Sequence, residues 1–510
     1  LPSEGARIGA GEDTRFRSDA VSRDGSRIFF TVLSPGSFGP VAGPLYVREN
    51  GATTAQVNAS QRTDCAGDPT CGGDGQPDPA PDPAGPLPAL FWSAEEQHGS
   101  SVLFSSCEKL TDDSTADSGG AECETTSASN FTGEGGATSG HDLYVYDVES
   151  GELTDITSGD PSGADVQGVL GASADLGRIY FVAGGDLAPG ATPDAQNIYL
   201  WDHGTLEFVA ALTNDVSRPA ELSDPYGGNT PVDGDNRGLS SSTGVGGALS
   251  TIRNTPDGRF LLFTSRARLT SYDNTNATAC PVVVTPENEA HPSSEWNVDS
   301  HCAEVYRYDA AQEEIDCVSC KPGGPPGADA FLYDNGTVLG GQVPKNISDD
   351  GQRVFFQTAD ALVPGDANGK FDVYEWTKGG GIALISKGGG DRESLFLDAS
   401  DSGNDAFFLT YDRLTPGDTD ANADIYDARV GGGFPEPAVP TPCAGDGCRG
   451  PLAQAPAAGS AATSTFSGPG NPGARPHCAR GKTRRHNRCV KKKRAKKKQR
   501  AAKNHGGGQK

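Results

Sequence analysis

The chain of 510 residues contains no Met, and its first residue is Leu. Its translation start is therefore expected upstream, together with any signal peptide. No stretch approaches the ~18–20 apolar residues of a bilayer-spanning helix, so no transmembrane span is expected. The nucleophile motif G-x-S-x-G and the zinc motif H-E-x-x-H are both absent, and without them no Ser-His-Asp set stands out among the many Ser and Asp residues. The body histidines, His98, His141, His203, His291 and His301, read as solvated loop residues rather than bases. No enzymatic activity is expected.

Gly and Pro together make up 105 residues, and apolar residues only 35 % of the chain. That composition excludes a helical bundle and favours many short strands joined by turns. Charge is segregated. Residues Asn471–Lys510 carry 16 Lys or Arg and no acid, whereas the preceding body has a net charge of −42. The body repels polyanions and the tail attracts them.

The twelve cysteines fall into six close pairs: Cys65/Cys71, Cys107/Cys123, Cys280/Cys302, Cys317/Cys320, Cys443/Cys448 and Cys478/Cys489. Near neighbours in loop-like sequence read as disulfides and an oxidising, extracytoplasmic compartment. The competing reading is a zinc site from Cys280, His291, His301 and Cys302, although His301 and Cys302 are adjacent and poorly placed to share a tetrahedron.

Two sequence elements alternate six times. The first is a turn followed by an apolar strand: Ser22–Phe30, His98–Phe104, Ser173–Phe181, Thr255–Phe263, Ser348–Phe356 and Ser400–Phe408. The second places an aliphatic residue before Tyr46, Tyr144, Tyr199, Tyr306, Tyr374 and Tyr426. Asp-Gly supplies the positive φ of a tight hairpin, and Val, Ile, Phe and Tyr suit a pleated, buried surface. With a strand on either side, each repeat makes a four-stranded antiparallel sheet, and radial stacking of such sheets buries both faces. The expected fold is an all-β propeller of six visible blades over residues 1–430. Gly5–Gly11 is expected to complete the last blade, and further blades could lie upstream.

The S-x-D-G-x-x-[IV]-x-F turn followed by I-Y-x-x-D resembles the WD40-like (PD40) repeat of the TolB propeller group. The combination with Cys317-Val-Ser-Cys320 and a Cys-bounded, Lys-rich tail is similar to secreted propeller proteins of high-GC actinobacteria. This resemblance implies a fold and an extracellular or cell-envelope location. It implies no activity, because the group hosts many functions.

The turn glycines Gly25, Gly99, Gly177, Gly258, Gly351 and Gly403 lie 52 to 93 residues apart, whereas a bare blade needs ~40–45. Long insertions at 58–88, 105–141, 217–250, 271–303 and 321–341 are expected between the second and third strands of a blade or between blades, all on one face. Disulfides there would preorganise a binding surface, although inserted loops are also tolerated without function.

The connection before the Tyr strand is acidic in repeats five and six. Asp366, Asn368 and Asp372, and then Asp418, Asp420, Asn422 and Asp424, alternate carboxylate and amide oxygens beside Gly. This pattern can wrap a structural calcium ion or simply form an Asx-type turn.

Residues 431–474 read as a Gly/Pro/Ala-rich linker and 475–510 as a Cys-bounded, largely disordered basic tail. The tail has no interleaved aromatics, which disfavours nucleic acid and favours an anionic cell-envelope polymer or lipid. The leading functional expectation is a non-catalytic, monomeric, secreted or cell-surface scaffold that binds a protein or peptide on the insertion-bearing face. The alternative is a calcium-dependent glycan-binding or glycan-cleaving propeller, with Trp92 and Trp296 as candidate contacts.

Overall fold

A computed structural model describes residues 6–8, 19–32, 44–63, 89–106, 108–116, 141–160, 163–193, 195–212, 252–276, 278–280, 301–332, 344–433, 478–485 and 488–491. The chain divides into two units, Leu1–Glu436 and Pro437–Lys510. Among the described residues there is no α-helix, and hence none long and apolar enough to cross a membrane.

The first unit is a β-propeller of antiparallel sheets. Blade one comprises β1 (Ala6–Ile8), β2 (Arg27–Val32), β3 (Leu45–Glu49) and β4 (Thr53–Gln56). Blade two comprises β5 (Ala89–Ala94), β6 (Ser101–Ser106), β7 (Asp142–Asp147) and β8 (Leu153–Asp155). Blade three comprises β9 (Val166–Ala172), β10 (Arg178–Ala183), β11 (Asn197–Asp202) and β12 (Thr205–Ala211). Blade four comprises β13 (Ile252–Asn254), β14 (Phe260–Ser265), β15 (Glu304–Asp309) and β16 (Glu314–Cys317). Blade five comprises β17 (Ala330–Phe331), β18 (Arg353–Thr358), β19 (Asp372–Thr377) and β20 (Gly381–Leu384). Blade six has three strands among the described residues, β21 (Ser394–Ala399), β22 (Asp405–Thr410) and β23 (Asp424–Arg429).

The repeated Phe and Tyr are cross-strand partners. Phe30↔Tyr46, Phe104↔Tyr144, Phe181↔Tyr199, Phe263↔Tyr306, Phe356↔Tyr374 and Phe408↔Tyr426 face one another in register. Their ring centroids lie 5.5–5.9 Å apart, a separation at which aromatic pairs attract. The residues just before them point to the opposite face. Thus Phe29, Leu103, Tyr180, Leu262 and Phe355 pack under the Phe–Tyr pair of the following blade. Five core clusters therefore lie between successive sheets, which puts the blades in chain order around the array.

Tight turns bond neighbouring blades edge to edge. Arg23 N–H donates to the Glu96 carbonyl, Glu96 N–H to Ala174, Ala174 N–H to Pro256, and Asp349 N–H to Asp401, each at 2.8 Å. Within a turn, the Ser or Thr hydroxyl donates to the Asp two residues on, as in Ser22–Asp24, Ser173–Asp175, Thr255–Asp257 and Ser348–Asp350. This explains the S-x-D spacing: the carboxylate and hydroxyl satisfy backbone N–H groups that the sharp bend leaves unpaired. Gly258 takes φ +65°, and a Cβ there would lie 2.8 Å from the Cβ atoms of Ser173 and Arg178 in blade three. Both the dihedral and the close approach require glycine.

Several expectations are corrected. In blade three the left-handed position is held by buried Leu176 (φ +55°), not by Gly177. Its N–H makes the turn bond to the Ser173 carbonyl, as Gly25 N–H does to Ser22. Residues Ala6–Ile8 pair with β2 and so belong to blade one, not to the last blade. Segment 321–341 is not one inter-blade connection, because β17 interrupts it. The inner strand of blade five is made in two pieces, Ala330–Phe331 beside Gln357–Thr358 and then Ile347 bridging Val354. Blade one repeats this, with Ala6–Ile8 beside β2 and Val21 bridging Ile28. In both blades two separate stretches of the chain pair with the second strand.

Blade six differs at its far face. Phe355 and Val373 of blade five are 1 % and 0 % exposed, whereas the equivalent Phe407 and Ile425 are 36 % and 62 % exposed. Among the described residues no sheet covers that face.

In the second unit, β24 (Lys482–Arg485) and β25 (Arg488–Lys491) form an antiparallel hairpin closed by Cys478–Cys489. This hairpin lies within residues 475–510, the Cys-bounded basic tail of the sequence reading, whose other residues lie outside the described ones.

Candidate functional site

In each antiparallel sheet the tight turns leave one end, and the connections between second and third strands, and between blades, leave the other. At this second end, the hydroxyl of the repeated Tyr fastens the connection that follows the second strand. Tyr144 donates to the Glu108 carbonyl at 2.9 Å, Tyr199 to Gly185 at 2.6 Å, Tyr306 to Ala267 at 2.9 Å and Tyr374 to Asp360 at 3.1 Å. In blade six Tyr426 donates to Asp418 Oδ2 at 2.6 Å.

A second fastening went unread in the sequence, although a signal was there: the third strand opens on Asp142, Asn197, Glu304, Asp372 or Asp424. Asp142 accepts the N–H groups of Thr115 and Ala116 and the Ser114 hydroxyl. Asn197 bonds Thr192 and Ala195. Glu304 accepts the Ser319 hydroxyl. These groups are buried, so they must be satisfied locally or remain costly. Burial pushes the Glu304 carboxyl up to about 8. Burial, followed by the charge of Asp142, raises Asp155 well above the carboxylate range.

The blade-four connection has the most elaborate base. Cys280 is joined to Cys302. Arg266 grips Asp329 at 2.8 and 3.1 Å and donates to the His301 carbonyl. Asn274, fully buried, donates to the carbonyls of Arg266 and Cys302, and Asn276 donates to Pro326. With their sulfurs joined, Cys280 and Cys302 offer no thiolate to zinc. Cys317–Cys320 closes the end of β16. The remaining paired cysteines, Cys65, Cys71, Cys107, Cys123, Cys443 and Cys448, lie outside the described residues, as do His291 and Trp296. Trp92 is half-buried and donates to Ser105. Asn58 and Asn346 are buried and bond backbone groups.

The two acidic loops differ. In blade six, carboxylate oxygens of Asp418, Asp420 and Asp424 lie within 4.8 Å of one another. Asn422 uses its backbone N–H to bond Asp420. The loop is largely exposed. In blade five, Asp366 accepts the Tyr374 hydroxyl and the Asn368 N–H. Asp372 is 0 % exposed. It accepts the Ser386 hydroxyl on Oδ1, while its Oδ2 has no hydrogen-bond partner. Burial raises the Asp372 carboxyl, as do the negative charges of Asp366 and Asp412, against the Ser386 hydroxyl and Asn368 amide. Asp412, from blade six, was not singled out in the sequence. Its Oδ2 is also buried without a partner.

No family model matches the chain, and no curated protein matches it. Solved structures do match. TolB from Acinetobacter baumannii is 13 % identical with a TM-score of 0.24, over 76 % of this chain and 61 % of that one. The Pyrococcus horikoshii acylaminoacyl peptidase is 13 % identical with a TM-score of 0.28, over 80 % and 42 %. Vibrio parahaemolyticus oligogalacturonate lyase is 11 % identical with a TM-score of 0.23, over 84 % and 92 %. The chain thus spans less than two thirds of TolB and of the peptidase. At these scores the propeller rests on the chain's own sheets and inter-blade cores.

Proposed function

We propose that the protein is a non-catalytic binding scaffold working outside the cytoplasm, which recognises a protein or peptide through the insertion-bearing end of its propeller. The observation that supports this is the base of the blade-four connection. A disulfide, a bidentate Arg266–Asp329 pair and buried Asn274 fix both ends of segment 281–300. Such fastening reduces the ordering cost of binding. The disulfides support an oxidising compartment. The cationic hairpin of the second unit supports a secondary contact with an anionic cell-envelope polymer.

The test compares the full chain with a variant in which 281–300 is replaced by a short Gly-Ser segment, in cross-linking capture from the native compartment. The expected result is a peptide or protein partner captured by the parent and reduced about tenfold or more in the variant, with unchanged melting. Equal capture by both proteins, or none by either, contradicts the reading.

A further inference from the structure

The two ends of the blade array each show an apolar face of a kind that the interior blades bury. Among the described residues of the first unit, the exposed large hydrophobic side chains are Val21 in blade one and Phe407, Tyr411, Ile425 and Val430 in blade six. Blades two to five contribute none. Val21 bridges Ile28 as Ile347 bridges Val354 in blade five. Ile347 sits in the core between blades four and five and is 2 % exposed, whereas Val21 is 45 % exposed.

The two open faces are of opposite kinds. At every interior junction, the face with the residue before the repeated Tyr meets the following blade's face with the Tyr itself. Ile425 belongs to the first kind of face and Tyr46 to the second. Blade six thus ends on the surface that blade one lacks.

The interior junctions also show which side chains would meet. Two residues beyond these positions, Val47 and Tyr146 share one core cluster, Val145 and Trp201 line the next, and Leu200 and Tyr308 share the third. Arg307 lies 5.1 Å from the Trp376 ring centroid. The corresponding pair from blade six to blade one is Asp427 and Arg48. At no interior junction are both members charged; at the open ends both are, with opposite signs. Opposite charges placed in this way fix a partner and its register. Each is lightly held in its own blade. Arg48 bonds the neutral Thr54 hydroxyl and Gly51 carbonyl. Asp427 lies 3.8 Å from Arg429, which is closer to Asp405, at 2.8 Å.

We infer that the blade-six face of one copy takes up the blade-one face of a second copy, with Asp427 paired to Arg48 across the contact. A second copy is the occupant because, within the single chain, Ile425 and Val21 stay exposed although both blades are present. The contact is heterologous, so it builds a ring or an open string of copies. It departs from the monomer expected from the sequence, and it stands independently of what the insertion-bearing end binds.

The test is sedimentation velocity of the full chain over a range of concentrations, with Ile425→Asp, Arg48→Glu and Asp427→Arg as variants. These are surface positions, so thermal unfolding at low concentration should be unchanged. The inference expects the parent to self-associate, and each variant to need about tenfold or more higher concentration for the same mean mass. An equimolar mixture of Arg48→Glu and Asp427→Arg should recover association, because each chain supplies the complement that the other lacks. A parent that stays monomeric at every concentration overturns the inference, as does association that all three variants leave unchanged. Weakened association that mixing fails to recover overturns the Asp427–Arg48 pairing. A monomer destabilised by each charge reversal, and restored when both are placed in one chain, would show instead that the chain's own blade one covers blade six.

Discussion

Val373 and Ile425 occupy the same position in successive blades, each just before the repeated Tyr, yet Val373 is 0 % and Ile425 62 % exposed. Among the described residues a sheet follows blade five and none follows blade six. Val373 packs with Phe396 and Phe408 of blade six. Replacing Val373 with Asp should cost more than about 3 kcal/mol, because an unpaired charge would be buried. Ile425→Asp should stay within about 0.5 kcal/mol. Urea denaturation of the two variants checks this, and an equally large loss at Ile425 would mean that its face is covered.

The Tyr hydroxyls hold loops rather than merely filling space. Tyr374 donates to the Asp360 carbonyl and accepts the Leu362 N–H. Tyr374→Phe keeps the stack on Phe356 and strands those buried groups, so it should cost about 1–3 kcal/mol. Tyr46→Phe, in half-buried surroundings, should cost less. Thermal and urea unfolding distinguish the two.

Stability should fall as pH rises through neutrality. Glu304 is raised to about 8 by burial, and Asp155 is raised by burial and by Asp142. The folded state therefore keeps protons that the unfolded state releases above about pH 4. Their contribution is complete below that pH and is lost as pH climbs towards the folded values. The urea midpoint of the parent is expected to be lower at pH 9 than at pH 5, and Glu304→Gln and Asp155→Asn should flatten the difference. A midpoint that rises with pH contradicts the assignment.

Arg307 is 1 % exposed and lies between two rings, 4.8 Å from the centroid of Phe260 and 5.1 Å from that of Trp376, while bonding Asp316 and the Gly351 carbonyl. It joins blade four to blade five. Arg307→Ala should cost about 2–5 kcal/mol, because a large buried side chain is removed from between two rings and the buried Gly351 carbonyl loses its donor, while Asp316 keeps Lys378. Arg307→Lys should recover only part of this, lacking the planar fork.

Much of the fold was legible because the repeating unit is local. The Ser-x-Asp-Gly turn and the Phe and Tyr strands each follow from short-range chemistry, and their sixfold recurrence gave the blades. What was missed is non-local or breaks a local rule. Leu176 adopts a glycine conformation because its side chain is buried under the turn. Ala6–Ile8 joins blade one across a gap in the strand, which no periodicity reports. Asp366 and Asp372 were visible as an oxygen-rich pattern, but Asp412 lies forty residues beyond Asp372 and comes near only because blades five and six stack. The zinc reading of Cys280 and Cys302 could be separated from a disulfide only by where the sulfurs lie.

The central claim is that an oxidised, fastened propeller end presents the insertions, and non-reducing peptide mapping by mass spectrometry of protein from its native compartment tests it most directly. The account predicts Cys280–Cys302, Cys317–Cys320 and Cys478–Cys489 as linked peptides, each resolved only after reduction. Free thiols or zinc at Cys280 and Cys302 would contradict it, because the insertion would then lack its fastening and the compartment would be reducing.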